Sequence, residues 1–259
     1  MFERLQKPFL TVETGEAYQP IRLTYHLDQK DPLITALNQL KCCEKNPASN
    51  TWNWFWKEEC ADLPFESLNS FTKNTDRPTR LGTLTIRDNA LYLNMPSFKR
   101  ACMAVPFFHR LIPTDAAQIK VADFINKVFG LDERLPHGFT ELFKDDELEH
   151  IINQRISDYQ KVQAHCESAA TAEEALKILA DYSNAETKKR LPYAERYAFE
   201  RNDTDQNAEM AFLSFYIFLR GRELVAIRRW FGDTGFTLFD AVEETVHQVF
   251  GNMNIDIIE

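Results

Sequence analysis

Over residues 81–111, two short stretches of alternating apolar and polar residues flank a turn, and an apolar-striped segment follows. Leu84 and Ile86 share one face of the first stretch, and Leu91, Leu93 and Met95 share one face of the second. A period of two marks a half-buried hairpin. Ser97 then stands where a helix N-cap belongs, and Pro106 predicts a bend or an early end to that helix. Residues 8–28 read as a first hairpin: Leu10 and Val12 alternate, Thr14-Gly15-Glu16 turns, and Ile21, Leu23, Tyr25 and Leu27 alternate again. Asp31 as N-cap and Pro32 as first helical residue open a helix striped by Leu33, Leu37 and Leu40.

The order hairpin, helix, hairpin, helix predicts an α+β fold with a four-stranded, mostly antiparallel sheet. Its strands fall near 8–13, 20–27, 81–87 and 90–95. Helices 32–42 and 98–110 cover one face. Residues 44–80 read as irregular. From Thr114 onward the spacing is helical. Ile119, Ala122, Ile125 and Phe129 predict a helix over 115–129, closed by Gly130. Further helices are expected over 145–167, 172–182, 187–200, 207–231 and 237–250. Thr171 and Glu174 form a capping box, and Gly251 marks a last helix end. The segment LDERLPHG suggests a boundary, which divides the chain into an α+β unit over 1–135 and a helical unit over 136–259.

Composition narrows the function classes. A formal net charge of −9 over 259 residues opposes wholesale coating of nucleic acid or of an anionic membrane. Eight glycines leave little material for phosphate-cradling loops, whereas 20 phenylalanines promise aromatic packing with some aromatic surface to spare. The five cysteines are odd in number and form no Cys-x-x-Cys pair. With no apolar leader at the N-terminus, they predict a cytoplasmic protein with free thiols.

Residues 81–104 carry a family resemblance. Leu81-Gly82-Thr83-Leu84, then Leu91-Tyr92-Leu93, then Ser97-Phe98-Lys99-Arg100-Ala101 resemble an uncharacterised bacterial domain that often accompanies SEC-C type zinc motifs. Trp52-Asn53-Trp54 and Thr14-Gly15-Glu16 extend the likeness over about 8–112. The chain departs from the pattern at Pro106 and carries no Cys/His zinc cluster. The resemblance brings no activity with it. In physical terms Ser97 caps the helix, Arg100 is expected to solvate the helix's outer face, and Ala101 permits close packing.

Several constellations carry candidate chemistry. Glu147 with His150 and Glu244 with His247 form two Glu-x-x-His pairs, the arrangement that builds carboxylate-bridged metal sites in helical bundles. Glu195, Glu200 or Glu209 could supply one further ligand and Glu141 another. Chance matches are expected among so many glutamates, and neither a metal nor another cofactor is expected. Trp52, Trp54 and Trp56 alternate and read as one packed face, which leaves Phe55, Trp56 and Phe65 as candidates for partner contact. Arg220, Arg222, Arg228 and Arg229, with Lys188-Lys189-Arg190, form the most basic stretches and the alternative anion or nucleic-acid surface. His109-Arg110 near Asp115 lacks a nucleophile elbow. At Cys42-Cys43, the neighbouring Glu44 opposes thiolate formation. The favoured reading is a protein-interaction or regulatory protein without catalytic activity. A protein partner or self-association is expected, with no membrane association. A metal-dependent enzyme and a nucleic-acid-associated protein are the alternatives.

Overall fold

The structure, a computed structural model, describes residues 7–65, 78–135, 139–142, 145–199 and 207–250. Its centre is one seven-stranded sheet of order β2-β3-β4-β5-β1-β6-β7. The strands are β1 Ile21–Leu27, β2 Cys43–Asn46, β3 Thr51–Phe55, β4 Arg80–Arg87, β5 Ala90–Met95, β6 Ala117–Ile125 and β7 Ala194–Ala198. Every pairing is antiparallel. The helices are α1 Lys30–Gln39, α2 Phe98–Leu111, α3 Phe139–Leu142, α4 Asp145–Glu167, α5 Ala172–Lys188, α6 Ala208–Trp230 and α7 Leu238–Phe250. No helix among the described residues is long and apolar enough to cross a membrane.

The mixed α+β class holds, but the sheet is larger than four strands. The hairpin over 81–95 forms as its alternation requires, with Leu84 opposite Leu93 and Ile86 opposite Leu91. Segment 8–13 does not join as a strand. It makes isolated bridges from Phe9 to Gly130 and from Thr11 to Ala17, closed by a turn in which Gly15 takes φ +89°. The segment 44–80, read as irregular, supplies β3 and all of β2 but Cys43. The Trp52/Trp54 alternation is therefore that of a true strand, and both rings are fully buried.

The largest correction falls on 115–129, which is strand β6 rather than a helix. The register against β1 slips between Thr24, opposite Val121, and Tyr25, opposite Ile119. That bulge leaves Lys120 unopposed. Ala117 and Ile119 before the slip, and Ala122 and Phe124 after it, are all buried, and the extra residue turns a spacing of two into a spacing of three. The bulge thus imitates a helical period. The helix expected over 187–200 is likewise corrected: α5 runs to Lys188, and 194–198 form β7, paired with β6. The sheet therefore extends past the boundary suggested near residue 135. Helix α1 starts at Lys30 and has Gln29, not Asp31, as its N-cap. Helix α2 runs through Pro106 to Leu111 with Ser97 as its cap. Gly251 lies outside the described residues.

One sheet face carries the core. The Trp52 indole N–H donates to Asn38 Oδ1 of α1 at 2.9 Å, while Trp54 packs on Phe107 and Phe108 of α2. Gly82 lies opposite Trp54, where a Cβ would stand 2.9 Å from the Asn94 carbonyl oxygen, so no larger residue fits without shifting the sheet. Helix α6 lies beside α2 and α7 beside α6. Phe215 and Phe218 of α6 meet Tyr197, and Phe218 also meets Phe124 of β6. The opposite face is polar: Arg22 Nε donates to Asn94 Oδ1 at 2.9 Å, and Arg196 of β7 grips Asp123 of β6 with two nitrogens.

These two faces generate a stability prediction. Leu93→Ala should cost about 2–5 kcal/mol, as a fully buried truncation does. Thr85→Ala on the polar face should stay within about 0.5 kcal/mol. Urea denaturation of both variants checks the assignment of faces.

Candidate functional site

Two clefts flank α6, and each opens beside a buried ion pair. The first pair is Arg222 of α6 with Glu195 of β7. Arg222 donates through Nε to Oε2 at 2.7 Å and through Nη2 to Oε1 at 3.2 Å. Its guanidinium also lies over the Phe218 ring. Asn126, just after β6, donates through Nδ2 to Glu195 Oε2 at 2.7 Å and to the Pro192 carbonyl at 2.9 Å. Gln19 in turn donates to the Asn126 carbonyl. Asn126 thereby fastens the loop leaving β6 to the loop entering β7. Both donors of its amide are used, yet its own Oδ1 is buried with no partner.

A cleft of about 530 Å³ opens at this point. Its walls come from residues 126–128, from 190–193 and from the C-terminal turn of α6. Lys127, Arg190 and Arg229 supply cations, Tyr193 and Trp230 supply rings, and no carboxylate is among the described residues that line it. Lys127 is anchored by Glu133, and Arg229 donates to the Lys189 carbonyl at 3.3 Å. Arg190 has no hydrogen bond or ion pair among the described residues. Lys7 adds a further positive charge over the Trp230 ring, 4.9 Å from its centroid. In a chain of net charge −9, this is a strong local reversal of sign.

The second pair is Glu16 with Arg100, and it corrects the expectation that Arg100 solvates the outside of α2. Arg100 is 2% exposed. Its Nε donates to Glu16 Oε1 at 3.1 Å, Nη2 to Thr14 Oγ1 at 2.9 Å, and Nη1 to the carbonyls of Arg80 and Leu81. Burial pulls the guanidinium pKa down, and Glu16 opposes that. Beside this pair a cleft of about 550 Å³ runs between α2 and α6. Cys102 lies in its wall with its thiol pKa pushed up, first by burial and then by Glu223, so it stays protonated and is a poor nucleophile.

The remaining expected residues fall elsewhere. The basic stretch of α6 does not form one stripe: Arg220 pairs with Glu223, Arg222 is buried on Glu195, and Arg228 sits 3.5 Å from Glu244 and over Phe236. Arg229 joins Arg190 in the first cleft, so one residue from each expected basic stretch meets there. Glu195, an expected extra metal ligand, is committed to Arg222. Glu244 is committed to Arg228, and His150 and His247 are exposed. Glu209 opens α6, Glu141 lies in α3, and Glu200 and the side chain of Glu147 lie outside the description. Among the described residues no group of three or more His, Cys, Asp or Glu is placed to hold a metal ion.

Of the aromatic candidates, Phe65 is buried and meets Trp56 edge-on at 5.7 Å, whereas Phe55 and Trp56 are half-buried. His109 packs edge-on against Phe212. Cys42 and Cys43 are both buried, and Glu59 accepts from the Lys41 and Cys42 backbone N–H groups.

Asn126, Lys127 and Tyr193 escaped the sequence reading, and Glu16 was read only as part of a turn. Only the pairing of β6 with β7 and the packing of the 14–17 turn on α2 bring these loop residues to the clefts. Comparison with models of known protein families, with curated proteins and with solved structures finds no match to this chain.

The first ion pair can be tested by double replacement. Glu195→Gln or Arg222→Met alone should cost about 3–5 kcal/mol, because each strands a buried charge or its hydrogen-bond partners. The Glu195→Leu, Arg222→Met double variant should cost clearly less than the sum of the single changes. Chemical denaturation of the full cycle measures this.

Proposed function

We propose that the chain is a non-catalytic regulatory protein of the cytoplasm that binds a small phosphate- or carboxylate-bearing molecule in the cationic cleft beside Asn126. The observation that carries this reading is the convergence of Lys127, Arg190 and Arg229 on one cleft with no carboxylate among its described lining residues. Guanidinium groups suit the planar, bidentate recognition of phosphate and carboxylate oxygens. The Trp230 and Tyr193 rings give the ligand's body a flat wall. Asn126 Oδ1 would accept one hydrogen bond from a donor on the same molecule. The cleft spans the β6–β7 connection and the end of α6, so occupancy would tie three separated segments together, as a ligand-sensing element requires. The kinship suggested by residues 81–104 is part of this proposal for the fold alone.

Titration calorimetry with inorganic phosphate, nucleoside monophosphates and aromatic carboxylates tests the reading. At least one of these should bind with one-to-one stoichiometry and weaken as salt is raised. Arg190→Glu should reduce that affinity by about tenfold or more, since a charge-assisted hydrogen bond to an anion is worth roughly 1.5–3 kcal/mol. Arg190 is the informative position because it makes no hydrogen bond or ion pair among the described residues. Silence across the whole panel, or equal binding by Arg190→Glu, would overturn the reading.

A further inference from the structure

We propose a second ligand site, in the cleft between α2 and α6, for a zwitterion of amino-acid type with an apolar side chain. The inference rests on Glu16 and Lys99 and is independent of the anion site.

Glu16 is held unevenly. Thr14 Oγ1, Ser97 Oγ and Arg100 Nε donate to Oε1 at 2.8, 3.0 and 3.1 Å. Oε2 accepts nothing and is buried. A buried carboxylate oxygen left without a donor is unfavourable, and native structures seldom tolerate one without a use for it. The Glu16 side chain is 5% exposed and forms part of the wall of the 550 Å³ cleft. A donor reaching the cleft from outside would complete its hydrogen bonding.

Lys99 supplies the opposite requirement. It lines the same cleft, one residue before Arg100, and has no hydrogen bond, ion pair or ring contact among the described residues. The other charges of the wall satisfy each other, since Arg220 pairs with Glu223. The cleft therefore holds one unmet acceptor and one unmet cation. The same cleft wall carries an apolar surface that includes Phe9, Phe98, Met103 and Ile227. A molecule with an ammonium group, a carboxylate and an apolar side chain meets all three demands. A simple amine leaves Lys99 unpaired, and a simple acid leaves Glu16 Oε2 unpaired. Gly15, held at φ +89° in the 14–17 turn, lies in the wall beside Glu16 and keeps backbone, not side chain, at that edge.

The test is calorimetry on the full chain with leucine, methionine and phenylalanine as probes. At least one should bind one-to-one. Its N-acetyl derivative, which lacks the ammonium, and its decarboxylated amine should each bind at least about tenfold more weakly, as expected when a site's buried polar group is left unpaired. Glu16→Gln should weaken the amino acid by a similar factor while leaving an oxygen for Arg100. Lys99→Glu, at a half-exposed helix position, should do so without risk to the fold. Arg190→Glu should leave amino-acid affinity unchanged. No saturable binding by any of the three, or binding that survives Lys99→Glu at full strength, overturns the proposal.

Discussion

The bidentate contact between Arg222 and Glu195 is the constraint on which the C-terminal half of the architecture depends. Strand β7 is five residues long and, among the described residues, pairs only with β6. Hydrogen bonding alone gives so short an edge strand little hold. The ion pair clamps it to α6, the helix that also packs against α2 and α7. Because Glu195 also takes Asn126, a single carboxylate sets the relation of three segments. Three donor contacts hold the carboxylate, two from Arg222 and one from Asn126, and the ring of Phe218 lies beneath the guanidinium.

A parallel arrangement holds the middle of the sheet. Arg100 joins the Thr14–Glu16 turn to the start of α2 and to the carbonyls at the start of β4. Both pairs are polar inclusions in a core that is otherwise aromatic and aliphatic. At each one a polar atom remains unsatisfied: Asn126 Oδ1 at the first and Glu16 Oε2 at the second. A core built from Phe98, Phe107, Phe108, Phe124 and Phe215 excludes water and makes such leftovers costly. The residues that carry both leftovers form part of cleft walls.

The sequence was legible where neighbours in the chain decide the structure. The 81–95 hairpin, the Ser97 cap and the Thr171 cap, whose hydroxyl accepts from the Glu174 N–H, all form as their local patterns require. It was illegible where distant segments decide. The β6 bulge arises from pairing with β1, and without that partner its residues carry a helical spacing. Arg100 looked like a surface residue because its partner Glu16 is 84 positions away. Arg222 looked like part of a basic stripe because Glu195 stands 27 positions earlier, in a strand that itself read as helix. Arg190 and Arg229 were each noted as basic, and only the folded chain shows that they share a cleft.

The ends of the sheet have a consequence for behaviour at high concentration. An edge strand with free N–H and C=O groups is a template on which a second chain can add a strand. Here one edge, β2, is four residues long and displays Glu44, Lys45 and Asn46 outward. The other edge, β7, has α4 packed against it. Charge and brevity guard one border and a helix shields the other. A sheet built on leucine-, isoleucine- and tryptophan-bearing strands is thereby guarded at both borders against strand addition by a neighbouring copy.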